Sequence, residues 1–393
     1  MNKVYIVSAQ RTPMGSFGGM LKNFTAVQLG SIIIKDAIEK SGVPMESVDE
    51  VFMGNVCQAN LGQAPARQAA IGAGLSINVP CTTVNKVCSS GLKSVMFAAQ
   101  SIMLGQADVL VAGGMESMSN IPYYMPKARW GHKYGGGEIV DGLEKDGLRD
   151  AYGQMAMGIC ADNTATKYEV SREEQDAYAV QSYQRSAAAT EAGNFSSEIT
   201  PISIPQRKKD PILMDTDEEF KKVIFEKIPS LRPAFSKEGT VTAANASTIN
   251  DGASALVVVS EQAVEKYGLT PIAEIISYAD AAHDPKWFTT APVLATPKAL
   301  KKAQITANDV DIFEVNEAFS VVPIVFGKEM HIDQDKMNVH GGAVSLGHPL
   351  GASGARILTT LTHALRTHDK EMGCATLCNG GGGASAMIIR SLK

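Results

Sequence analysis

No stretch of this 393-residue chain approaches the roughly 18–20 consecutive apolar residues that a membrane-spanning helix needs. Net positive charge is missing too. The 36 basic residues face 41 acidic ones, for a net charge of −5, so no field draws the chain to nucleic acid or an anionic membrane. Cysteine is sparse: six in the whole chain, with no CxxC pair, which excludes a disulfide scaffold and argues against a structural zinc site. A dinucleotide fingerprint is also absent. Gly347, Gly351 and Gly354 do not form GxGxxG, and the strand–turn–helix context that the fingerprint requires is missing, which leaves a nucleotide oxidoreductase as a weak alternative. The opening MNKVYIVSAQRTP reads as a strand rather than a targeting segment, and the final SLK has the letters of a peroxisomal address in the wrong order. Free thiols and no leader predict a reducing, cytoplasmic setting.

What is present is an α/β alternation in both end regions, which predicts a layered body with mostly parallel strand pairing. Val4–Ala9 and Val51–Asn55 are strand-like, and Ala26–Ser41 carries apolar residues at helical spacing before Gly42. The plan then repeats. SVDEVFMGN (47–55) resembles DVDIFEVNEAF (309–319), CSSGLKSV (88–95) resembles GASGARIL (351–358), and VLVAGG (109–114) resembles ATLCNGG (375–381). Spacing agrees: Asp49 to Gly91 is 42 positions, and Asp311 to Gly354 is 43. Two related halves packed as one body follow. Residues from about Ser117 to Thr248 match neither half and read as a long insertion with binding and assembly roles.

Chemistry concentrates at four places. Cys88 precedes a helix with apolar Leu92, Val95, Met96, Ala99, Ile102 and Met103 and the single charge Lys93, which predicts a central, buried helix. Unpaired N–H groups and the helix dipole at its start favour a thiolate, against the bland reading of a small core residue. The segment NVHGGAVSLGHPLGASGAR (338–356) carries His340 and His348 among small residues that let a ligand approach closely. CNGGGGASAM (378–387) must be a tight turn with free N–H groups beside Cys378, either an oxyanion donor or a purely structural turn. Asn316 ends a buried strand, where an amide needs partners or a task. Duplication brings these strand ends to one cleft.

NKVCSSGLKS, NEAF, GHPLGASGAR and CNGGGGASA together resemble the signature stretches of thiolases, in particular the acetoacetyl-CoA-type acetyltransferases, and the resemblance spans the whole chain. It implies a five-layered αβαβα fold of two duplicated halves with an inserted loop domain. The implied division is 1–118 for the first part of the N-terminal half, 119–248 for the insertion, 249–270 for the end of that half, and 271–393 for the C-terminal half. It implies that Cys88 carries the acyl group and that His348 takes the thiol proton and helps bind the thioester oxygen. Cys378 would act as acid and base on the α-carbon. Asn316 would hold an oxyanion water, and the N–H groups of Cys88 and Gly380 a second hole. The same resemblance places Ser247, Lys222 and Lys227 on coenzyme A, and Met157, Phe235, Phe288, Ala318 and Phe319 along the pantetheine tunnel and acyl pocket. The lysines also read as a solvated face, since Pro201–Gly239 holds eight basic and seven acidic residues.

The expected reaction is reversible Claisen condensation of two acetyl-CoA to acetoacetyl-CoA and CoA. No cofactor is obligatory. A potassium ion would sit at Tyr183, Ala243, Ala244, Ala246 and Val344. Ser119–Gly142 resembles a tetramerisation loop, so a homotetramer built as a dimer of dimers is expected, with neither nucleic acid nor membrane as partner. Three departures stand out: Ala156 replaces the histidine common before Met157, Phe288 stands where many bacterial members have methionine, and Thr289 replaces a proline. The alternatives are a longer-chain degradative 3-ketoacyl-CoA thiolase and a non-catalytic acyl-CoA carrier.

Overall fold

The computed structural model describes residues 2–392. Nine strands build the body: β1 (Val4–Arg11), β2 (Glu50–Gly54), β3 (Cys81–Val84), β4 (Val109–Ser117), β5 (Asn250–Ser260), β6 (Ala273–Ala282), β7 (Ile312–Val315), β8 (Met372–Asn379) and β9 (Gly383–Ser391). Their order is β7-β8-β9-β6-β1-β5-β4-β2-β3. The join between the halves is slight: β1 meets β6 only through Tyr5 opposite Glu274 and Ile6 opposite Ala273. Two sheets therefore share one short seam.

Eight helices matter for the site: α1 (Ala26–Ser41), α2 (Pro65–Gly72), α3 (Ser90–Met103), α4 (Met157–Lys167), α5 (Arg172–Glu191), α6 (Pro292–Ala303), α7 (Val321–Met330) and α8 (Leu350–Thr367). The α1 helix has the bounds its pattern predicts. A capping box between Thr25 and Gln28 starts it, Gly42 at φ 74° ends it, and Leu29, Ile33, Ile34 and Ile38 form its buried stripe. With α2 it covers the outer face of the first sheet. The α3 and α8 helices lie between the sheets in the central core, and α6 and α7 pack in the core outside the second sheet. Helix, sheet, helix, sheet, helix gives five layers.

Duplication is visible in detail. Asp49 accepts from the N–H groups of Asp108 (2.8 Å) and Val109 (2.9 Å), and Asp311 accepts from those of Glu371 (3.1 Å) and Met372 (2.9 Å). Each carboxylate pins the start of the neighbouring parallel strand. The expectation of mostly parallel pairing is corrected, however. Only β2–β3, β2–β4 and β7–β8 run parallel, while the five pairings among β1, β4, β5, β6, β8 and β9 are antiparallel. Part of the reason is the glycine turn after β8: Gly381 and Gly382 at φ 85° and 84° close a tight hairpin, which permits only antiparallel return.

The chain between β4 and β5 adds α4, α5 and two small hairpins, Tyr123–Tyr124 with Val140–Asp141 and Ile202–Ile204 with Ile212–Met214. It is tied to the body by Arg11, which bonds Glu198 and, through two nitrogens, Asp217 at 2.7 and 3.0 Å, all three side chains buried. Losing one partner of such a buried pair costs roughly 3–5 kcal/mol.

Candidate active site

Two helix starts meet beneath the cleft because glycines let their backbones touch. A Cβ on Gly91 would lie 2.7 Å from the N of Ala355, and one on Gly354 would lie 2.4 Å from the N of Leu92. Gly114 is tighter still, 1.9 Å from the carbonyl of Gly351. Glu116 clamps the junction. Its carboxylate accepts from the Asn55 amide (2.8 Å) and the N–H groups of Val56 (3.0 Å), Cys57 (3.2 Å) and Gly351 (2.9 Å), so one side chain binds a loop of the first half to a helix start of the second. Burial raises it to about 7 from the usual carboxylate range, with the backbone N–H donors opposing.

Cys88 sits between β3 and α3. Val87 before it has φ 49°, a strained value for a β-branched residue, and the turn is held by Ser90, whose hydroxyl donates to the Val87 carbonyl and accepts from the Lys86 N–H. The thiol is buried, and the N–H groups of Gly380 and of Cys88 itself point at it. Burial nonetheless outweighs these donors and raises the thiol to about 11. The expectation that the helix start favours a resting thiolate is therefore corrected: desolvation is the larger effect.

His348 enters from the opposite half. Its N–H donates to Asn250 Oδ1 (2.9 Å), its Nδ1 lies 2.6 Å from Ser353 Oγ, and its Nε2 is buried without a partner. Burial first, and the Arg356 charge second, lower it to about 3, so the ring is a neutral base. Cys378 is the last residue but one of β8 and has no exposed surface. Burial pushes its thiol well up, with the neighbouring Cys88 adding to the effect. Ser89 donates to Asn379 Oδ1 at 3.0 Å, pinning the residues next to the two thiols. Asn316 follows β7 with its N–H on the Thr376 carbonyl (3.0 Å), while both atoms of its side-chain amide are buried and unpartnered.

A cavity of about 490 Å³ reaches His348. His348 and Leu350 line it together with Met157, Phe235, Ser247, Phe319, Lys222, Ala243 and Ala246. Phe235 stands edge-on to Phe319 at 6.1 Å, and the Ser247 N–H donates to the Ala318 carbonyl at 3.0 Å. Met157 reaches toward Gly380, where an added Cβ would lie 3.6 Å from its methyl. Lys227 is exposed and off this wall; Phe288 is also off it, buried in the outer core cluster that also holds Cys378. Tyr183 and Val344 pack together in a small cluster with Ala179, while Ala243 and Ala246 line the cavity. A larger, polar cavity of about 640 Å³ at Lys145, Asp146 and Arg149 contains neither thiol nor imidazole.

Sequence reasoning did not single out Glu116, Asn250 or Ser353. Ser353 follows His348 by five positions in GHPLGAS and could have been noticed. Nothing in the chain pairs Asn250 with His348, 98 positions away.

The sequence matches the family model for the thiolase N-terminal domain over residues 4–262 and that for the thiolase C-terminal domain over 269–391. This chain belongs to the thiolase family and is an acyltransferase of that family. It is 56% identical to the mitochondrial acetyl-CoA acetyltransferase of Rattus norvegicus, over all of this chain and 92% of the relative. Identity to the Homo sapiens mitochondrial enzyme is 53%, over all of this chain and 91% of that one. Among solved structures, a thiolase from Ascaris suum in complex with coenzyme A has a TM-score of 0.94 at 46% identity, covering 99% of this chain and all of the other. The Bacillus anthracis acetyl-CoA acetyltransferase has a TM-score of 0.97 at 41% identity, covering all of this chain and 99% of the other. The cytoplasmic expectation is overturned by these relatives, since the rat, mouse, bovine and human proteins are mitochondrial.

Proposed function

We propose that this chain condenses two acetyl-CoA molecules to acetoacetyl-CoA and CoA, reversibly, through an acetyl group on Cys88. The observation that carries the reading is the pairing of two buried thiols, Cys88 and Cys378, whose flanking residues Ser89 and Asn379 are hydrogen-bonded, together with a neutral His348 imidazole on the wall of an apolar cavity and a buried, unpartnered Asn316 amide. His348 Nε2 takes the Cys88 proton as sulfur attacks the acetyl carbon. The N–H groups of Cys88 and Gly380 receive the oxyanion, and Cys378 protonates the departing CoA thiolate. The Cys378 thiolate then removes the α-proton of a second acetyl-CoA. Its enolate oxygen is held by His348 Nε2–H and by a water on Asn316. Carbon–carbon bond formation returns Cys88 as a thiolate, which recovers its proton from His348. Every proton is accounted for without an external acid.

Coenzyme A lies along the cavity, with Ser247, Lys222, Met157, Phe235, Ala318 and Phe319 as its contacts and the insertion 119–248 as its cover. Lys227 and Phe288 have weaker support, being off the cavity wall. The exposed arm with Trp130 at 82% and Tyr134 at 101% exposure supports assembly into a tetramer, which the mass in solution tests. Potassium at Tyr183, Ala243, Ala244, Ala246 and Val344 is tested by exchanging KCl for NaCl at constant ionic strength, with equal rates counting against it.

Incubation with acetyl-CoA followed by peptide mass spectrometry is the decisive experiment. An acetyl group on the peptide containing Cys88, lost in Cys88→Ser, is expected, and an unmodified Cys88 sinks the reading. Faster turnover of an eight-carbon ketoacyl-CoA than of acetoacetyl-CoA would transfer the assignment to the longer-chain reaction.

A further inference from the structure

We infer that Ser353 is a positioning residue that fixes the proton of His348 on Nδ1 and so leaves Nε2 free as the base. The inference rests on the roles given above to Cys88 and His348, and it concerns how the ring is made competent. Ser353 Oγ has two neighbours: His348 Nδ1 at 2.6 Å and the Pro349 carbonyl at 2.9 Å. A carbonyl only accepts, so the single hydroxyl proton goes to Pro349, and the oxygen lone pair is left for the ring. Both contacts are satisfied together only when Nδ1 carries hydrogen and donates to Ser353. Nε2 then holds a lone pair, and it is the one ring atom that is buried without a partner.

Local structure explains why this works. Ser353 lies in the first turn of α8, where a serine hydroxyl reaches back to the carbonyl four residues earlier, here Pro349 at the helix start. His348 is the residue just before, so the ring folds over the same turn. Ser353 and His348 are both buried, which removes water as a substitute partner for Nδ1. The backbone of His348 is fixed separately by Asn250 Oδ1 at 2.9 Å, so Ser353 governs the ring's rotation and tautomer rather than the course of the chain. A neutral imidazole in water prefers its proton on Nε2, and that tautomer offers no lone pair to the Cys88 thiol. The hydroxyl reverses the preference. It also stays in place when the ring becomes an imidazolium, since Nδ1–H donates in both states.

The test compares Ser353→Ala, Ser353→Thr and His348→Asn in the full-length protein, using single-turnover acetylation of Cys88 from pH 6 to 9. Ser353→Ala should slow acetylation by about 10- to 100-fold at saturating acetyl-CoA with KM changed less than about twofold. Ser353→Thr, which keeps the hydroxyl, should recover most of the rate. Imidazole-nitrogen NMR of histidine-labelled protein should move the His348 proton from Nδ1 toward Nε2 in Ser353→Ala only. The proposal is overturned if Ser353→Ala acetylates at the parent rate while His348→Asn does not, or if Ser353→Thr is as slow as Ser353→Ala. If His348→Asn is also unimpaired, the reading of His348 as the base fails instead, and the two failures are told apart.

Discussion

The two helix starts that meet under the cleft are products of one duplication, yet they carry opposite chemistry. The α3 start presents Cys88, a thiol raised to about 11, and the α8 start presents His348, an imidazole lowered to about 3. Dipoles alone would make the first a thiolate. Burial instead makes both groups neutral, one a poor acid and the other a weak base, so proton transfer between them waits for the substrate. The neutral pair differs from a preformed thiolate–imidazolium pair in avoiding two desolvated charges in a dry cleft before acetyl-CoA arrives.

The largest expected effect separates Cys88 from Cys378. Cys378→Ser should still gain the acetyl group, because a good leaving thiolate departs without much help, but should lose condensation by about 10²–10⁴-fold. Equal loss in both half-reactions would show that protonation of the departing CoA thiolate depends on Cys378 as strongly as the carbon-acid step does. A smaller but sharper effect concerns the resting state of Cys88. Its alkylation by iodoacetamide should rise steadily with pH across 7 to 9, because a thiol raised to about 11 is far from ionised there. A plateau by pH 7 would restore the helix-dipole account.

The smallest effect lies in the clamp between the two starts. Glu116 has its folded value raised to about 7 from an ordinary 4.5, so between those values the folded protein holds a proton that the unfolded chain has released. Stability from this group therefore falls as pH rises through that window and levels off above it. Glu116→Gln, which resembles the protonated form, should gain on the parent in urea melts between pH 5 and 7, by at most about 3 kcal/mol. The opposite trend would mean that the four donors outweigh burial.

Much of this was legible in the chain. Matched spacing exposed the duplication, and the pattern around Leu92–Met103 marked the central helix that carries Cys88. The bounds of α1 followed from the helical spacing of apolar residues over Ala26–Ser41 and from Gly42 after it. Strand direction was not legible, because an apolar run such as Val109–Ala112 fits either kind of ladder, and only the glycine turn after Cys378 hinted at a hairpin. The thiol's ionisation was misjudged because a helix start is a local feature, whereas desolvation is set by everything packed above it. Phe288 and Lys227 show the same limit: resemblance located the segments, but which side chains face the cavity depends on turns that position alone does not describe.

The glycine contacts between α3 and α8 have a consequence for altering this protein. With backbone 1.9–2.8 Å from where Cβ atoms would lie at Gly91, Gly114, Gly351 and Gly354, no side chain fits between the two helix starts or between the α8 start and the end of β4 with the Asn55 loop. Libraries that vary these four positions would be populated by misfolded chains. Substrate range can be reshaped only from the other side, along the wall formed by Met157, Phe235 and Phe319, where neighbours are flexible side chains and a change in volume has somewhere to go.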